Sequence, residues 1–491
     1  MATLFRNASW SGAAAAFRAA TGLINALLAI RLLGVGDYGH VATLLSLFVL
    51  YLSLNSSVFT VLVAKLMAPR TTDASVDSSA MLAAATIFSV ASIVLLVIVT
   101  FLVTELAPRL LSLDTFGDAF SMEIRRVILL MGVLTATQVV VALHSALIES
   151  AGRLDLAMKW QLIGPTVVLT ALSLSLFTEL PITASGYVVA LCAGSLTDLF
   201  MLWFVRRKVM PSSLPFWPSR NRLGGLVHLL KSGSVLQATS FMNMFLEPLN
   251  KLLLNHFVGA HAVTLYDLAM KVIWGIQYLF SAAMRVFLHL GSQDEEAVGR
   301  TFSRVIALVG VPVVILHTLG ALFLSWAAHH WMAIDAAPLM VFFAIATVSN
   351  LGMIYITPLY ISLIGRGDLH FIFRCQAILA VTNVVVSLML IPYIGLIGAA
   401  FGLLSATIYN VAAIYVRCRD NSGTFVGLRD TLRGREVGYV LTGLLFVAAI
   451  VLGITGEDSS MGLLGVLLGL AAIMVREPIV GTLLERMGLR P

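Results

Sequence analysis

Charge is scarce in this sequence. Only 11% of its 491 residues are Asp, Glu, Lys or Arg, while 59% are hydrophobic. Soluble domains carry about 25% charged and about 45–50% apolar residues, so this chain has too little polar surface for a water-exposed globule. Cysteine is scarcer still. Cys192, Cys375 and Cys418 all fall within or at the ends of apolar runs, which excludes a disulfide framework. A basic stripe is missing too: despite a formal net charge of +6, the basic residues sit between apolar runs, and nucleic acid is not a partner. No Ser/His/Asp set and no loop-borne pair of acids stands out, so nothing points to an enzyme.

What fills the sequence instead is a succession of long apolar runs, and the bilayer is the solvent they suit. A helical span needs about 20 mainly apolar residues. Candidate spans are 10–33, 38–66, 80–104, 124–148, 156–177, 182–205, 232–258, 263–290, 302–327, 339–364, 369–391, 394–416, 437–454 and 461–475. The first run is too long for a signal-peptide core and carries Arg18, so it reads as a retained span. Membrane lipids are therefore the surroundings. With the amino terminus in the cytoplasm, 23 of the 31 Lys and Arg residues fall in cytoplasmic segments, counting the cytoplasmic ends of the spans. Arg109, Arg125 and Arg126 fall outside, and Arg18, Arg31, Lys251, Lys271 and Arg285 lie within spans. That bias follows the positive-inside rule and places both termini in the cytoplasm.

The chain also repeats itself. Gly152-Arg153-Leu154-Asp155 recurs as Gly365-Arg366-Gly367-Asp368, and Leu33-Gly34 followed by Tyr38 resembles Val258-Gly259 followed by Tyr266. Both matches fit a six-helix period. The expected fold is an all-α integral membrane protein of about fourteen transmembrane helices. Two pseudo-symmetric six-helix lobes surround a central cavity, with two further helices at the carboxyl end. The lobes occupy 1–205 and 232–418, joined by a basic cytoplasmic linker at 206–231; residues 419–491 hold a loop, the last two helices and a tail.

The first hairpin reads Arg31-Leu32-Leu33-Gly34-Val35-Gly36-Asp37-Tyr38-Gly39. The second lobe offers Asn250-Lys251-Leu252-Leu253-Leu254, Val258-Gly259 and Tyr266, and Gly395-Leu396-Ile397-Gly398-Ala399-Ala400 opens the twelfth span. These segments, in this order along the whole chain, resemble the polysaccharide-transport, or oligosaccharide flippase, family. That family belongs to the multidrug/oligosaccharidyl-lipid/polysaccharide (MOP) exporter superfamily. Many relatives carry an acid before the base where this chain has Asn250-Lys251, which leaves nearby Glu247 as the substitute. The resemblance implies a flippase of the bacterial inner membrane. It would carry an undecaprenyl-pyrophosphate-linked oligosaccharide from the cytoplasmic to the outer leaflet, for O-antigen, capsule or exopolysaccharide assembly. Polysaccharide polymerase and other assembly proteins would be its partners. No cofactor is implied, and the membrane potential or a proton or sodium gradient would supply the driving force.

Charge inside a span is costly, about 2.5–3.5 kcal/mol for a central Arg or Lys on the mildest scale, and it persists where it meets a watery cavity, a partner or a charged ligand. In the eighth span Asp267, Lys271, Trp274, Tyr278, Ser281 and Arg285 recur at spacings of three or four, forming one polar and aromatic stripe. The stripe reads as a cavity wall, or as helix packing with an i,i+4 pair between Asp267 and Lys271. In the seventh span Asn243, Glu247, Asn250 and Lys251 make a similar stripe, and Pro248 is expected to kink it. Glu247 and Lys251 can also neutralise each other.

Arg18 lies near the middle of the first span, with Asn25 on a similar face, and cavity exposure suits it better than snorkelling. Arg31 and Arg285, nearer span ends, reach either a ligand or the headgroups. The candidate substrate cavity thus comprises Arg18, Asn25, Arg31, Asn243, Lys251, Lys271, Trp274, Tyr278 and Arg285, and Glu247, Asp267 and Asp198 are candidates for ion coupling. Predominantly basic intramembrane charge suits a pyrophosphate head. A cation-coupled drug exporter of the same superfamily would want acids instead, and a polysaccharide polymerase or ligase would want a long outer loop.

Three motifs carry no chemistry. Gly34-x-Gly36-x-x-Gly39 follows a membrane helix and is a tight turn rather than a dinucleotide fingerprint. Gly398-x-x-x-Gly402 and Gly465-x-x-x-Gly469 suit close helix packing. His329 and His330 mark a span end, and no metal set accompanies them.

Overall fold

In hydrocarbon every backbone amide must be paired within its own segment, and long apolar runs therefore fold as helices. The computed structural model describes residues 2–67, 78–110, 118–151, 153–209, 238–239, 241–242, 245–284, 312–365 and 368–420. Among these residues every regular element is helical. The elements are α1 (Ala2–Leu33), α2 (Val35–Met67), α3 (Ser78–Leu110), α4 (Asp118–Ser150), α5 (Leu154–Trp160), α6 (Ile163–Phe177) and α7 (Ala184–Val209). Then follow α8 (Glu247–Phe257), α9 (Ala260–Met284), α10 (Pro312–Met332), α11 (Ala337–Gly365), α12 (Leu369–Ile394) and α13 (Leu396–Asp420).

Ten stretches among the described residues are long and apolar enough to cross a membrane, and they coincide with the first six and the ninth to twelfth expected spans. The seventh and eighth are represented by α8 and α9, which carry the intramembrane charges and are not among the ten. The last two expected spans, 437–454 and 461–475, lie outside the described residues. The fifth span is broken into α5 and α6 at Gln161-Leu162. Pro165 explains the break, because its ring would meet the carbonyl of Gln161 in a continuous helix.

The chain divides into two compact units, Met1–Asp267 and Leu268–Pro491. The division falls inside α9, later than the 206–231 linker expected from charge. In the first unit α4 packs against α2, α3 and α7, α7 against α6, α1 against α5 and α6, and α8 against α2. Val58, Phe59, Ala85, Val139, Leu143, Ala146 and Leu147 interlock α2, α3 and α4. Ile148, Ala157, Leu202 and Val205 do the same where α4, α5 and α7 meet. In the second unit α13 packs on α11 and α12, around Ile356, Leu359, Leu363, Ile372, Cys375 and Ile414.

Glycine governs the closest approaches. Gly34 and Gly259 turn the chain between α1 and α2 and between α8 and α9 with φ of +86° and +109°, a region open to glycine but costly to other residues. The Gly34-x-Gly36-x-x-Gly39 segment is thus the interhelical turn expected. Gly398 and Gly402 bring α13 onto α12, at Ile391 and Ser387. Outward, α3 exposes Val90, Val94, Leu95, Val97, Ile98, Phe101 and Leu102. An apolar face this continuous suits lipid, not water.

Candidate charged network at the α2, α8 and α9 helix starts

The first unit buries a charged network where α2, α8 and α9 begin. Glu247 and Lys251 lie one turn apart on α8, and the Lys251 ammonium donates to Glu247 Oε1 at 2.6 Å. The same ammonium donates to Asp267 Oδ1 on α9, also at 2.6 Å. Tyr38 on α2 donates its hydroxyl to Asp267 Oδ2 at 2.6 Å. Asp267 thus accepts on both carboxylate oxygens from two different helices. The side chains of Lys251 and Asp267 are 5% and 2% exposed, and that of Glu247 is 31% exposed. Two carboxylates share the Lys251 ammonium, with Glu247 at the open side of the network.

The sequence builds this arrangement locally. Pro248 stands in the first turn of α8, where its missing amide costs nothing. Thr264 Oγ1 also donates to the Val35 carbonyl at 2.5 Å, a second tie between α2 and α9. Gly39 permits the approach: a Cβ there would lie 1.9 Å from the Ala260 carbonyl oxygen. Tyr187 on α7 closes the back of the network, its ring centroid 6.4 Å from that of Tyr38. Asn250, Thr264 and Tyr266 are fully buried beside it.

A second polar cluster in the same unit gathers around Arg18. Its guanidinium donates to Gln161 Oε1, at the break between α5 and α6, and lies 3.8 Å from Met158 Sδ. Asp198 on α7 accepts the Gly164 amide at 2.8 Å, at the start of α6. Asp198 and Glu149 act on the Arg18 charge at longer range. Asn25, seven residues along α1, is buried, and its Oδ1 has no hydrogen-bond partner among the described residues. Arg31, in the last turn of α1, is exposed.

In the second unit, Lys271 and Trp274 are half-buried on α9 and Tyr278 is exposed. The rings of Trp274 and Tyr278 lie 6.3 Å apart, and the Trp274 indole N–H is buried without a hydrogen-bond partner among the described residues. Asn243 and Arg285 lie outside the described residues. The structure thus joins Glu247, Lys251 and Asp267, and keeps the partners of Arg18 separate from theirs. Sequence reasoning missed Tyr38 as a partner of Asp267, and Gln161 as a partner of Arg18. Tyr38 stood inside a quoted motif, but nothing in the linear spacing aims it at a residue 229 positions away. It also missed His317 and Asn350, single polar residues in apolar runs. His329 and His330 end α10 in a π-helical turn at the surface, and no group of three metal-ligating side chains occurs among the described residues.

No protein-family model matches the sequence, and no curated protein matches it. Solved structures do. The chain resembles the lipid II flippase MurJ in an inward closed conformation, at 15% identity and a TM-score of 0.70, over 98% of this chain and 99% of the other. It also resembles an inward-facing multidrug resistance MATE family transporter of the MOP superfamily, at 15% identity and a TM-score of 0.60, over 81% of this chain and 94% of that one. A MATE transporter of Vibrio cholerae matches at 13% identity and a TM-score of 0.59, over 88% and 96%. At these identities the likeness establishes the fold alone, that of an all-helical multi-pass membrane protein.

Proposed function

We propose that this chain is a flippase that moves a polyprenyl-pyrophosphate-linked oligosaccharide across the bacterial inner membrane by alternating access, with both termini in the cytoplasm. The observation that carries this reading is the extent of the fold likeness. The lipid II flippase accounts for nearly the whole chain, whereas the two MATE transporters leave more than a tenth of it unmatched. Intramembrane charge supports the same reading. Arg18 has neutral hydrogen-bond partners, Gln161 and Met158, and an arginine so placed suits a phosphate arriving with its lipid.

Potential and ion gradient can both contribute. Outward movement of two negative charges gains about 4–5 kcal/mol per 100 mV of inside-negative potential. Glu247, the partly exposed carboxylate of the Glu247, Lys251 and Asp267 network, is the place where a proton or sodium ion would bind. In this reading Lys251 serves the network's internal balance first and reaches a phosphate only if its carboxylates let go.

Full-length protein in proteoliposomes, carrying a polyprenyl-pyrophosphate disaccharide with a dithionite-quenchable fluorophore, tests the proposal. More of the probe is expected to be quenched than in protein-free vesicles, and the gain is expected to vanish in Arg18→Ala. Vesicles that transport ethidium but leave the lipid-linked probe in place would overturn it in favour of the drug-exporter reading.

A further inference from the structure

The second unit contains a buried histidine that the transport reading above does not use. His317 lies in the second turn of α10, fully buried, and its Nδ1 is 2.8 Å from the carbonyl oxygen of Val313. A carbonyl only accepts, so Nδ1 carries the proton. Its Nε2 lies 3.0 Å from Asn350 Nδ2 on α11, and that same amide nitrogen faces the Ile273 carbonyl of α9 at 3.4 Å. An amide nitrogen only donates. Nε2 is therefore the bare, accepting nitrogen of a neutral imidazole, and one Asn350 amide ties three helices together.

The surroundings are dry and close. Asn350 is 4% exposed, Ile273 3% and Phe343, whose ring centroid lies 6.4 Å from the imidazole, is fully buried. One turn along α10, a Cβ on Gly320 would lie 2.6 Å from Val272 and 3.4 Å from Phe343, so the helices leave no room for water there. The titratable residues on the surrounding elements are His261, Tyr266, Asp267, Lys271 and Tyr278 on α9, His329 and His330 on α10, and Tyr355 and Tyr360 on α11. None of them is a hydrogen-bond partner of the imidazole, and no carboxylate faces it among the described residues.

We propose that His317 is a proton-binding site, with Asn350 as the link that reports its occupancy to α9. A proton delivered by water bonds to the Nε2 lone pair and converts the ring to an imidazolium with two N–H donors. Nε2–H then faces the Asn350 amino group, donor against donor. Turning the amide by 180° relieves the conflict, because Oδ1 accepts from Nε2–H, but the turned amide no longer donates to Ile273. An imidazolium with no anion beside it is unfavourable in this dry seam. Loading therefore favours a state in which water has entered between α10 and α11, and loss of the proton favours the closed state described above. That is a population shift driven by a proton, a pH response of the second unit. The site is distinct from the Glu247 and Asp267 carboxylates, which belong to the first unit.

The test follows histidine ring nitrogens and the Ile273 carbonyl by isotope-resolved NMR on full-length protein in lipid nanodiscs. No transport substrate is used, so its outcome is independent of the flippase reading. The His317 signals are the ones absent from His317→Gln. At pH 8 they are expected to show the Nδ1–H neutral tautomer. On acidification they are expected to convert to imidazolium, with the Ile273 carbonyl shifting at the same midpoint. Asn350→Asp sets a carboxylate against the ring, and is expected to move that midpoint up by about one pH unit or more. Asn350→Leu is expected to keep the histidine titration and lose the carbonyl response. A ring that stays neutral down to pH 4.5, an Nε2–H tautomer at pH 8, or protonation without any change at Ile273 would each overturn the proposal.

Discussion

Lys251→Met is the most informative single perturbation of the charged network. The ammonium it removes makes 2.6 Å bonds to both Glu247 and Asp267, and Asp267 is 2% exposed. Glu247, 31% exposed, can take water in place of the lost partner. Asp267 keeps the Tyr38 hydroxyl but loses the ammonium charge it is paired with. Stranding one member of a buried ion pair costs about 3–5 kcal/mol. Asp267→Asn is milder, because Lys251 keeps Glu247, and about 1–3 kcal/mol is expected. The double variant strands no carboxylate in the interior and is expected to cost less than the sum of the two, by about 0.5–3 kcal/mol. A chain of two units does not unfold in one step, so the assay is comparative: the temperature at which the full-length protein leaves its monodisperse peak in detergent. Lys251→Met is expected to lower that temperature by roughly 5 °C or more. A variant within 1 °C of the wild type, or costs that simply add, would refute the view that this ammonium holds the network together.

Three other outcomes follow from geometry. Gly39→Ala puts a methyl group onto the Ala260 carbonyl and is expected to cost about 1–3 kcal/mol in the same melting assay, while Gly36→Ala, with open space around it, leaves the midpoint unchanged. Arg18→Ala is expected to abolish flipping of the lipid-linked probe at normal expression; Arg18→Lys keeps part of the activity if charge alone matters and little if a bidentate phosphate contact does, with Arg222→Ala as control. For topology, cysteines in the 206–231 loop are expected to resist an impermeant reagent added to intact cells, and a cysteine near His329 to react.

The helical spans were legible because hydrocarbon leaves a sequence few options: long apolar runs, scarce charge and asymmetric loops each point to the same ten spans found among the described residues. The Glu247–Lys251 pair was legible too, as an i,i+4 spacing on one helix. What the sequence concealed were contacts between helices. Asp267 reads as a partner for Lys271 on its own helix, and the structure adds Lys251 and Tyr38, brought near by the glycine turns at 34 and 259. Arg18 reads as a lone cation, and its neutral partner Gln161 exists as a partner only because Pro165 breaks the fifth span beside it. Spacing along one helix is local information. Partners across helices depend on packing, which glycine and proline set from a distance.

The first unit holds two polar clusters of opposite sense, and that contrast bears on coupling. Around Arg18 the hydrogen-bond partners are neutral, so its positive charge is offset only at longer range by Asp198 and Glu149. Around Lys251 two carboxylates meet one ammonium, and Glu247 stays partly exposed. An anionic lipid head is drawn to the first cluster and a small cation to the second, and a transporter needs the two to respond differently. Glu247→Gln separates them. It removes the carboxylate charge at the network's open side and leaves the buried Lys251–Asp267 pair intact, so the fold survives. With this variant, flipping of the lipid-linked probe is expected to persist but to lose its dependence on an imposed proton or sodium gradient. Arg18→Ala is expected to do the reverse, failing to flip under any gradient. If Glu247→Gln instead keeps the full gradient dependence of the wild type, the cation binds elsewhere, and the charged network is structural only.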